Sequence, residues 1–378
     1  MTFNIHTITI YLQYITTKKK GADDMQQVTS DIMTFRGSHF ELGVKTGKWL
    51  QQTPLLKNRE KEWKKRVPRF DIDVNETYQI FQTYAPQIWE ELMGLQSILK
   101  MPTRQIILNF GHYRFTDLKE SGCTVFEGKD FMVRNYDYHP ATYDGRYLLY
   151  QPTDSGLAQI GPVSRVTGRM DGMNESGLTM GYNFMHRKKP ANGFVCYMIG
   201  RLILENCRNV TEAIQLLKEI PHRSSFSYIL MDKSLNHAIV EVTPRSIDVR
   251  YDNICTNHFE ILTHENRNYT KESKERLART ISQTNDNLDM TTAFKLFNNP
   301  QYEIYSKLFK SWSGTIHTSM YHPETLTAYF TLGENAPPEI IDFKSWLDGQ
   351  DLNITHFTGN IDTVLHLLWW EGKTSCFF

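Results

Sequence analysis

The sequence changes character at residues 121–124, which read Ser-Gly-Cys-Thr. Before this point, apolar residues such as Phe81, Ile88 and Leu92 recur every three or four positions, which is typical of amphipathic helices. After it, short β-branched and aromatic runs alternate with turn residues, beginning with a predicted hairpin over 125–133. The chain must therefore join a helical segment directly to a sheet, with a glycine and a cysteine at the junction.

The remaining pattern predicts a layered protein of helices and sheets. Pro86 is expected to interrupt the first helical segment, and Asn209 with Glu212 three residues later predicts a helix start. The predicted helices are 197–205, 210–220 and 274–281, and the further strands are 147–150, 178–182, 228–231, 238–242, 246–251 and 325–331. Helices, strands, helices and strands in this order favour layers over a regularly alternating barrel.

Composition excludes several classes of protein. The 42 Lys and Arg residues balance 42 Asp and Glu residues, so the basic excess of a nucleic-acid or anionic-membrane binder is missing. A small, weakly charged partner is expected instead. Five cysteines in 378 residues, none paired as CxxC, indicate a reducing compartment and argue against a structural zinc.

The N-terminal residues carry no clear targeting signal. The apolar stretch 8–15 is too short to span a bilayer and lacks a basic leader and a small-residue cleavage site. We therefore expect a cytoplasmic protein without a membrane anchor. Residues 1–24, which precede the second methionine, are interpreted as a disordered leader or an over-long start.

Cys123 needs a base to become a nucleophile, because a free thiol titrates near pH ~8.5. An N-terminal cysteine carries such a base in its own α-amine, whose reference pKa is about 7.7–8.0. Cys123 is internal, so this hypothesis requires cleavage of the Gly122–Cys123 peptide bond. A glycine before that bond allows the strained backbone in which the thiol reaches the preceding carbonyl.

Six short motifs occur in an order that resembles the N-terminal nucleophile hydrolases, and most closely the acyl-coenzyme A:6-aminopenicillanic acid acyltransferase family, to which choloylglycine hydrolases and penicillin V acylases are related. The motifs are Arg36-Gly-Ser-His-Phe-Glu-Leu-Gly43, Gly122-Cys-Thr124, Arg134-Asn-Tyr-Asp137, Met173-Asn-Glu-Ser-Gly-Leu178, Gly181-Tyr-Asn-Phe184 and Thr256-Asn-His-Phe259. Each motif alone is weak evidence for the family, but six motifs in the family's order argue against a chance match.

The resemblance implies an α+β fold, a four-layer αββα sandwich of two antiparallel sheets flanked by helices. It also implies a helical pro-segment over 25–122 and a catalytic chain over 123–378, which stay associated after self-cleavage. Choloylglycine hydrolases begin at or near their nucleophile, whereas a long segment precedes Cys123 here. This difference favours the acyltransferase-like branch with a pro-segment.

By the same resemblance, Cys123 is the nucleophile and Asp137 is the carboxylate that holds its amino group. Arg134 lies beside Asp137 in the sequence. A fixed guanidinium charge there would lower the thiol pKa and orient Asp137.

Two asparagines and one arginine complete the implied site. The side-chain amide of Asn257 and the backbone amide of Asn183 match positions that face the tetrahedral oxyanion. Arg276 matches a further arginine near the nucleophile, and Arg279, about one helical turn away, competes for this role.

Several alternatives remain open on the sequence alone. Cys123 could be a buried structural thiol, and Arg134 with Asp137 a structural ion pair. Cys255 and His258, with a second histidine nearby, could suggest a metal pair, but no second cysteine pair completes the coordination. A papain-like arrangement with His258 or His317 as base lacks that family's local cysteine signature.

The chemistry expected from the sequence is acyl transfer or hydrolysis of linear amides and coenzyme A thioesters. The alternatives are a pure amidase of the bile-salt, penicillin V or N-acyl amino acid type, and an unprocessed binding protein of the same fold. No metal or organic cofactor is expected, although coenzyme A would serve as a substrate carrier, and a homo-oligomer is compatible with the sequence. Tyr138, Tyr143, Phe184 and Phe194 are candidates for an apolar acyl pocket.

Overall fold

Two facing β-sheets form the centre of the protein, and helices cover their outer sides. The computed structural model describes residues 25–57, 72–114, 122–185, 190–266 and 270–363. The predicted leader over 1–24 lies outside the described residues.

The strands belong to two sheets. They are β1 (Met25–Gly37), β2 (Thr124–Glu127), β3 (Met132–Tyr138), β4 (Arg146–Pro152), β5 (Gln159–Ser164), β6 (Gly168–Arg169), β7 (Asp171–Asn174), β8 (Thr179–Phe184), β9 (Phe226–Met231), β10 (His237–Val242), β11 (Ile247–Arg250), β12 (Ile254–Cys255), β13 (Lys307–Leu308), β14 (Ser313–His322), β15 (Thr327–Leu332), β16 (Glu339–Asp342) and β17 (His356–Asp362). The larger sheet has the order β11-β10-β9-β8-β7-β5-β4-β1-β17, with β6 beside β5. The smaller sheet has the order β12-β2-β3-β14-β15-β16, with β13 beside β14.

The helices lie mainly in three stretches of the chain. They are α1 (His39–Gln51), α2 (Val74–Tyr84), α3 (Pro86–Leu99), α4 (Thr103–Ile106) continued by a π-helical turn (Ile107–Gly111), α5 (Cys196–Asn206), α6 (Val210–Glu219), α7 (Lys271–Gln283), α8 (Met290–Asn298) and α9 (Phe343–Leu347). Within the described ranges, no helix has both the length and the apolar character needed to cross a membrane.

The four layers follow from the two-residue period of the strands. On β9, Tyr228 and Leu230 pack among the helices α1 to α6, whereas Ile229 lies between the two sheets. On β2, Val125 lies between the sheets and Phe126 packs towards α8. Each fully buried side chain of this size stabilises the fold by about 1.5–3 kcal/mol. The predicted αββα sandwich is thereby confirmed.

The segment before the cysteine differs from its prediction in one respect. Residues 25–122 were expected to be helical, but they open with β1, a strand in the interior of the larger sheet. β1 pairs antiparallel with β17 and parallel with β4, so the larger sheet is mixed and not wholly antiparallel as predicted. The helices α1 to α4 and the strands β2 and β3 lie between β1 and β4 in the chain and together form the long connection that a parallel pair needs.

The predicted helix interruption at Pro86 and the predicted helix start at Asn209 are both present in the structure. α2 ends at Tyr84 and α3 begins at Pro86, which confirms the predicted interruption. Asn209 caps α6 by accepting a hydrogen bond from the backbone of Glu212. Gly43, at the end of the first motif, lets α1 and α3 touch, because an added Cβ would lie 2.1 Å from the Glu91 carbonyl oxygen.

Candidate active site

Cys123 lies between the two sheets, immediately before β2, and is 2% exposed. β2 and β3 form the predicted hairpin, in which Val125 pairs with Arg134. The short connection brings the arginine and aspartate of the third motif back to the cysteine. Distances within this hairpin are therefore set by local sequence.

Arg134 is fully buried and contacts the thiol directly. Its Nη2 lies 3.5 Å from Cys123 Sγ and donates to the Tyr182 carbonyl at 2.5 Å. Gly181 gives the arginine room, because a Cβ at that position would lie 3.0 Å from Arg134 Cδ. The glycine of the fifth motif thus has a packing function beside the site.

A buried carboxylate that the sequence analysis missed holds Arg134. Asp171 on β7 accepts from Arg134 Nη1 at 2.6 Å, lies 3.2 Å from His317 Nε2, and accepts from Tyr321 at 2.6 Å. The hydrogen bonds from His317 and Tyr321 and the charge of Arg134 outweigh burial and hold the Asp171 pKa well below its usual range. The feature of the sequence that could have identified Asp171 is its position, two residues before the start of the fourth motif.

The thiol is not activated in the uncleaved chain. Burial raises the pKa of Cys123, and the neighbouring Arg134 charge offsets this only in part. The expected lowering of the thiol pKa by Arg134 is therefore outweighed by desolvation. A further base is needed to form a thiolate here.

Asp137 presents one oxygen to the Gly122–Cys123 junction. Its Oδ1 accepts from Thr315 at 2.6 Å, while Oδ2 has no hydrogen-bond partner among the described residues. A Cβ on Gly122 would lie 3.5 Å from that Oδ2. Burial raises the pKa of Asp137 to about 8, against the lowering influence of Arg276 and Thr315. A buried carboxyl group is thus aimed at the peptide whose cleavage would free an amine.

We expect the uncleaved chain to lose stability as the pH rises from about 4 towards 8. The folded pKa of Asp137 is raised, so its contribution is fully present below the unfolded value of about 3.9 and lost as the pH rises through about 8. Denaturant unfolding of Cys123→Ala, which lacks the candidate nucleophile, measures this slope. Adding Asp137→Asn should flatten it, and equal slopes in both chains would contradict the assignment.

Arg276 on α7 contacts three consecutive residues at the junction. Its Nη1 donates to the carbonyl oxygens of Gly122 and Cys123, both at 2.6 Å, and to Thr124 Oγ1 at 2.8 Å. Arg279, its competitor in the sequence, lies 3.9 Å from Glu303 with a side chain that is 34% exposed. The structure therefore brings Arg276 and not Arg279 to Cys123.

Asn257 is fixed beside Arg276. Arg276 Nη2 donates to Asn257 Oδ1 at 2.9 Å, and Asn257 Nδ2 donates to the Phe184 carbonyl at 2.9 Å. The backbone amide of Asn257 donates to Ser273 Oγ at 2.7 Å. The orientation of this amide group is thus set by its partners, and Nδ2 retains a second hydrogen for another acceptor.

Asn183 reaches the same region through its side chain. Its Nδ2 donates to the Cys255 carbonyl at 2.9 Å and lies 3.4 Å from the Cys123 carbonyl oxygen. The contacts join β8 to β12 and to the start of β2. The side chain therefore supports the backbone around the thiol.

The backbone of β8 offers amides on alternate sides. The Met185 amide donates to Ser225 on the β9 side, and hydrogen-bonded pairs recur every second residue, so the Asn183 amide also points towards β9. Phe184 presents its backbone to the other side, where its carbonyl accepts from Asn257. An oxyanion role for the Asn183 amide stays a prediction, and the Phe184 amide lies on the side of Asn257.

The two histidines considered as bases have other partners. His258 Nδ1 lies 2.9 Å from Ser273 Oγ at the start of α7, and burial lowers its pKa to about 4. His317 Nε2 lies 3.2 Å from Asp171 Oδ2. Both imidazoles serve hydrogen-bond networks that hold neighbouring elements of the site.

The aromatic candidates for an acyl pocket divide between two cores. Tyr138 and Tyr143 share the core between the sheets with Cys123, and Trp312 packs edge-on against Tyr138. Phe194 packs against Phe81 in the helical layer, so that part of the expectation is wrong.

The candidate site lies in a fold of two facing sheets between helices, with a cysteine immediately before an inner strand. The family model of acyl-coenzyme A:6-aminopenicillanic acid acyl-transferase matches residues 125–337, more than half of the chain. The chain belongs to this family, which is named for an acyl-transferase.

The solved structures to which this chain is similar have low sequence identity. A mutant of conjugated bile acid hydrolase from Clostridium perfringens is 17% identical, with a TM-score of 0.42 over 61% of this chain and 95% of that one. Penicillin V acylase from Agrobacterium tumefaciens is 15% identical, with a TM-score of 0.36 over 59% of this chain and 86% of that one. A Caenorhabditis elegans ortholog of N-acylethanolamine-hydrolyzing acid amidase is 12% identical, with a TM-score of 0.39 over 54% and 93%. No curated protein sequence matches the chain.

Proposed function

We propose that the chain cleaves itself between Gly122 and Cys123 and then hydrolyses or transfers acyl groups from linear amides or coenzyme A thioesters. The observation that carries this proposal is the environment of one peptide bond. Arg276 holds its carbonyl oxygen at 2.6 Å, Arg134 lies 3.5 Å from the thiol beside it, and Asp137 turns an unpaired oxygen towards it.

Turnover would use the amine released by cleavage. The Cys123 α-amine, held by Asp137 Oδ2, accepts the thiol proton as Sγ attacks the acyl carbonyl. The carbonyl oxygen becomes an oxyanion, and two donors stabilise it. One is the second hydrogen of Asn257 Nδ2, and the other is a backbone amide of β8, either that of Asn183, which the resemblance implies, or that of Phe184, which lies on the side of Asn257. Loss of one such donor typically costs about 2.7–4 kcal/mol of barrier. Water or an acceptor amine then resolves the thioester.

The protein chain itself supplies every group in this mechanism. No metal or organic cofactor enters a step, and coenzyme A would take part only as the carrier of the acyl group. We further propose a cytoplasmic location, as the low cysteine content indicates.

A pure amidase is the second candidate function, and an unprocessed binding protein is the third. The similar structures include amide hydrolases acting on bile acid conjugates and N-acylethanolamines, according to their names. Intact-mass analysis of the purified chain tests self-cleavage, which should yield fragments of residues 1–122 and 123–378. Comparing acyl transfer from coenzyme A thioesters with hydrolysis of penicillin V then separates transferase from amidase. A persistent single chain without activity would refute the proposed enzyme.

The two fragments should stay together after cleavage. β1, from the first fragment, lies between β4 and β17 of the second. Two buried ion pairs also join the first fragment to the second: Glu91 with Arg201 at 2.5 Å and His39 with Glu205 at 2.8 Å. Separating the fragments would therefore expose the interior of a sheet and leave buried charges unpaired.

We expect the cleaved fragments to co-elute in native size-exclusion chromatography and to separate only in denaturant. Breaking a buried ion pair costs about 3–5 kcal/mol, so Glu91→Ala should lower the denaturant concentration at which they separate. Lys271→Ala, which removes an exposed partner of Glu275, serves as the matched control and should leave that concentration unchanged. Separation of the wild-type fragments in native buffer would contradict this prediction.

A further inference from the structure

The carbonyl oxygen of the scissile peptide has a cationic partner in the uncleaved chain. Arg276 Nη1 lies 2.6 Å from the Gly122 oxygen, and the arginine is 2% exposed. Asn257, the side-chain oxyanion donor of the turnover mechanism, donates one Nδ2 hydrogen to the Phe184 carbonyl and has no hydrogen bond to the Gly122 oxygen among the described residues. The Gly122 carbonyl, which would be the first that the thiol attacks, is therefore bound by Arg276, whereas Asn257 is the side-chain donor proposed for later substrates.

The position of the guanidinium is fixed from several sides. Glu272, one turn earlier on α7, accepts from Arg276 Nε at 3.0 Å, and Asn257 Oδ1 accepts from Nη2 at 2.9 Å. Thr124 Oγ1 and the Cys123 carbonyl complete the contacts of Nη1. A charged group that is already oriented needs little rearrangement when negative charge develops on its partner.

We propose that Arg276 is the catalytic electrophile of maturation: it stabilises the oxyanion on Gly122 during self-cleavage, whereas Asn257 performs this task in turnover. The inference rests on the proposed self-cleavage and assigns its first step. A guanidinium stays charged at every relevant pH and donates through a rigid fork, which suits a developing oxyanion.

The step balances within the chain and one water molecule. Cys123 Sγ bonds to the Gly122 carbonyl carbon, and the electron pair of the C–O π bond moves to the oxygen beside Arg276. When the carbonyl re-forms, the C–N bond to Cys123 breaks and the thiol proton ends on the new α-amine. Water then hydrolyses the thioester, which gives the Gly122 carboxylate and the free thiol.

The test compares cleavage rates of full-length variants by intact mass after purification. Arg276→Gln should slow cleavage by about 10²–10³-fold, the usual effect of removing one oxyanion donor. Arg276→Lys keeps the charge but not the fork, so it should recover part of the rate. Asn257→Ala removes one of the contacts that hold Arg276, so it should slow cleavage less than Arg276→Gln does. Arg279→Gln, the matched control on the same helix, should equal wild type.

Thermal unfolding and the alkylation rate of the released thiol with iodoacetamide accompany each variant. A purely structural Arg276 would reduce the stability of Arg276→Gln without partial rescue of the cleavage rate by lysine. Wild-type cleavage by Arg276→Gln, or equal slowing by Asn257→Ala, would overturn the inference. If Arg276→Gln does not fold, the cleavage rate of Arg276→Lys is the test. A cleavage rate of Arg276→Lys equal to that of Arg279→Gln would contradict the proposed role of Arg276. A wild-type chain that never cleaves would instead refute the proposed function.

Discussion

Replacing Cys123 by alanine is expected to abolish both self-cleavage and turnover. The chain should remain a single species of 44.2 kDa, and acyl hydrolysis should fall by roughly 10⁴-fold or more, as when other covalent nucleophiles are removed. Both losses would have one cause, because in the proposed mechanism the same sulfur attacks the Gly122 carbonyl first and the substrate carbonyl later. Intact mass and a penicillin V or acyl-coenzyme A assay measure the two effects.

A second buried thiol provides the control for Cys123→Ala. Cys207 lies in the helical core, where burial raises its pKa to about 12, far from the site. Cys207→Ala should therefore cleave and turn over normally. Cleavage of Cys123→Ala after Gly122 would show that another agent cuts the chain.

Replacing Arg134 by leucine is expected to lower the free energy of unfolding by about 3–5 kcal/mol at neutral pH. Asp171 is fully buried and would lose the partner that lies 2.6 Å away, which leaves an uncompensated charge between the sheets. Thiol reactivity should fall as well, because the cation 3.5 Å from Cys123 Sγ disappears. Denaturant unfolding and iodoacetamide alkylation measure these effects.

The stability deficit of Arg134→Leu should shrink in acid. With the arginine present, the Asp171 pKa is depressed, so its contribution is present above the unfolded value of about 3.9 and lost below it. Without the arginine, burial favours the protonated acid, and the variant regains stability relative to wild type as the pH falls. Lys271→Leu removes an exposed partner of Glu275 and should cost less than about 1 kcal/mol. A deficit of that small size in Arg134→Leu would contradict the role of the buried pair.

The local sequence predicted the hairpin that carries Cys123, Arg134 and Asp137. Two short strands and a tight turn place residues eleven to fourteen positions apart side by side, so neighbouring motifs imply neighbouring side chains. The layered fold was predictable for a related reason. Alternation with period two indicates which strand face is buried, whatever lies on the other side.

The strand β14 was not predicted from the sequence, although it supplies Thr315 and His317 to the site. Its sequence is rich in serine, threonine and histidine and lacks the apolar alternation of an ordinary strand. The reason is visible in the fold: its buried polar side chains satisfy Asp137 and Asn135 on the neighbouring strand β3 and Asp171 on the facing sheet. These partners are more than a hundred residues away, so no local pattern marks them.

The sequence by itself thus determined the candidate nucleophile, the residues of its hairpin, the family and the layered architecture. Tertiary structure alone decided which arginine of α7 reaches the junction, because Arg276 and Arg279 lie one helical turn apart and only the docking of the helix distinguishes them. It also decided that Asp171 holds Arg134 and that β1, which precedes Cys123 in the chain, lies between β4 and β17. Contacts between distant segments depend on packing, which a linear pattern of residues does not record.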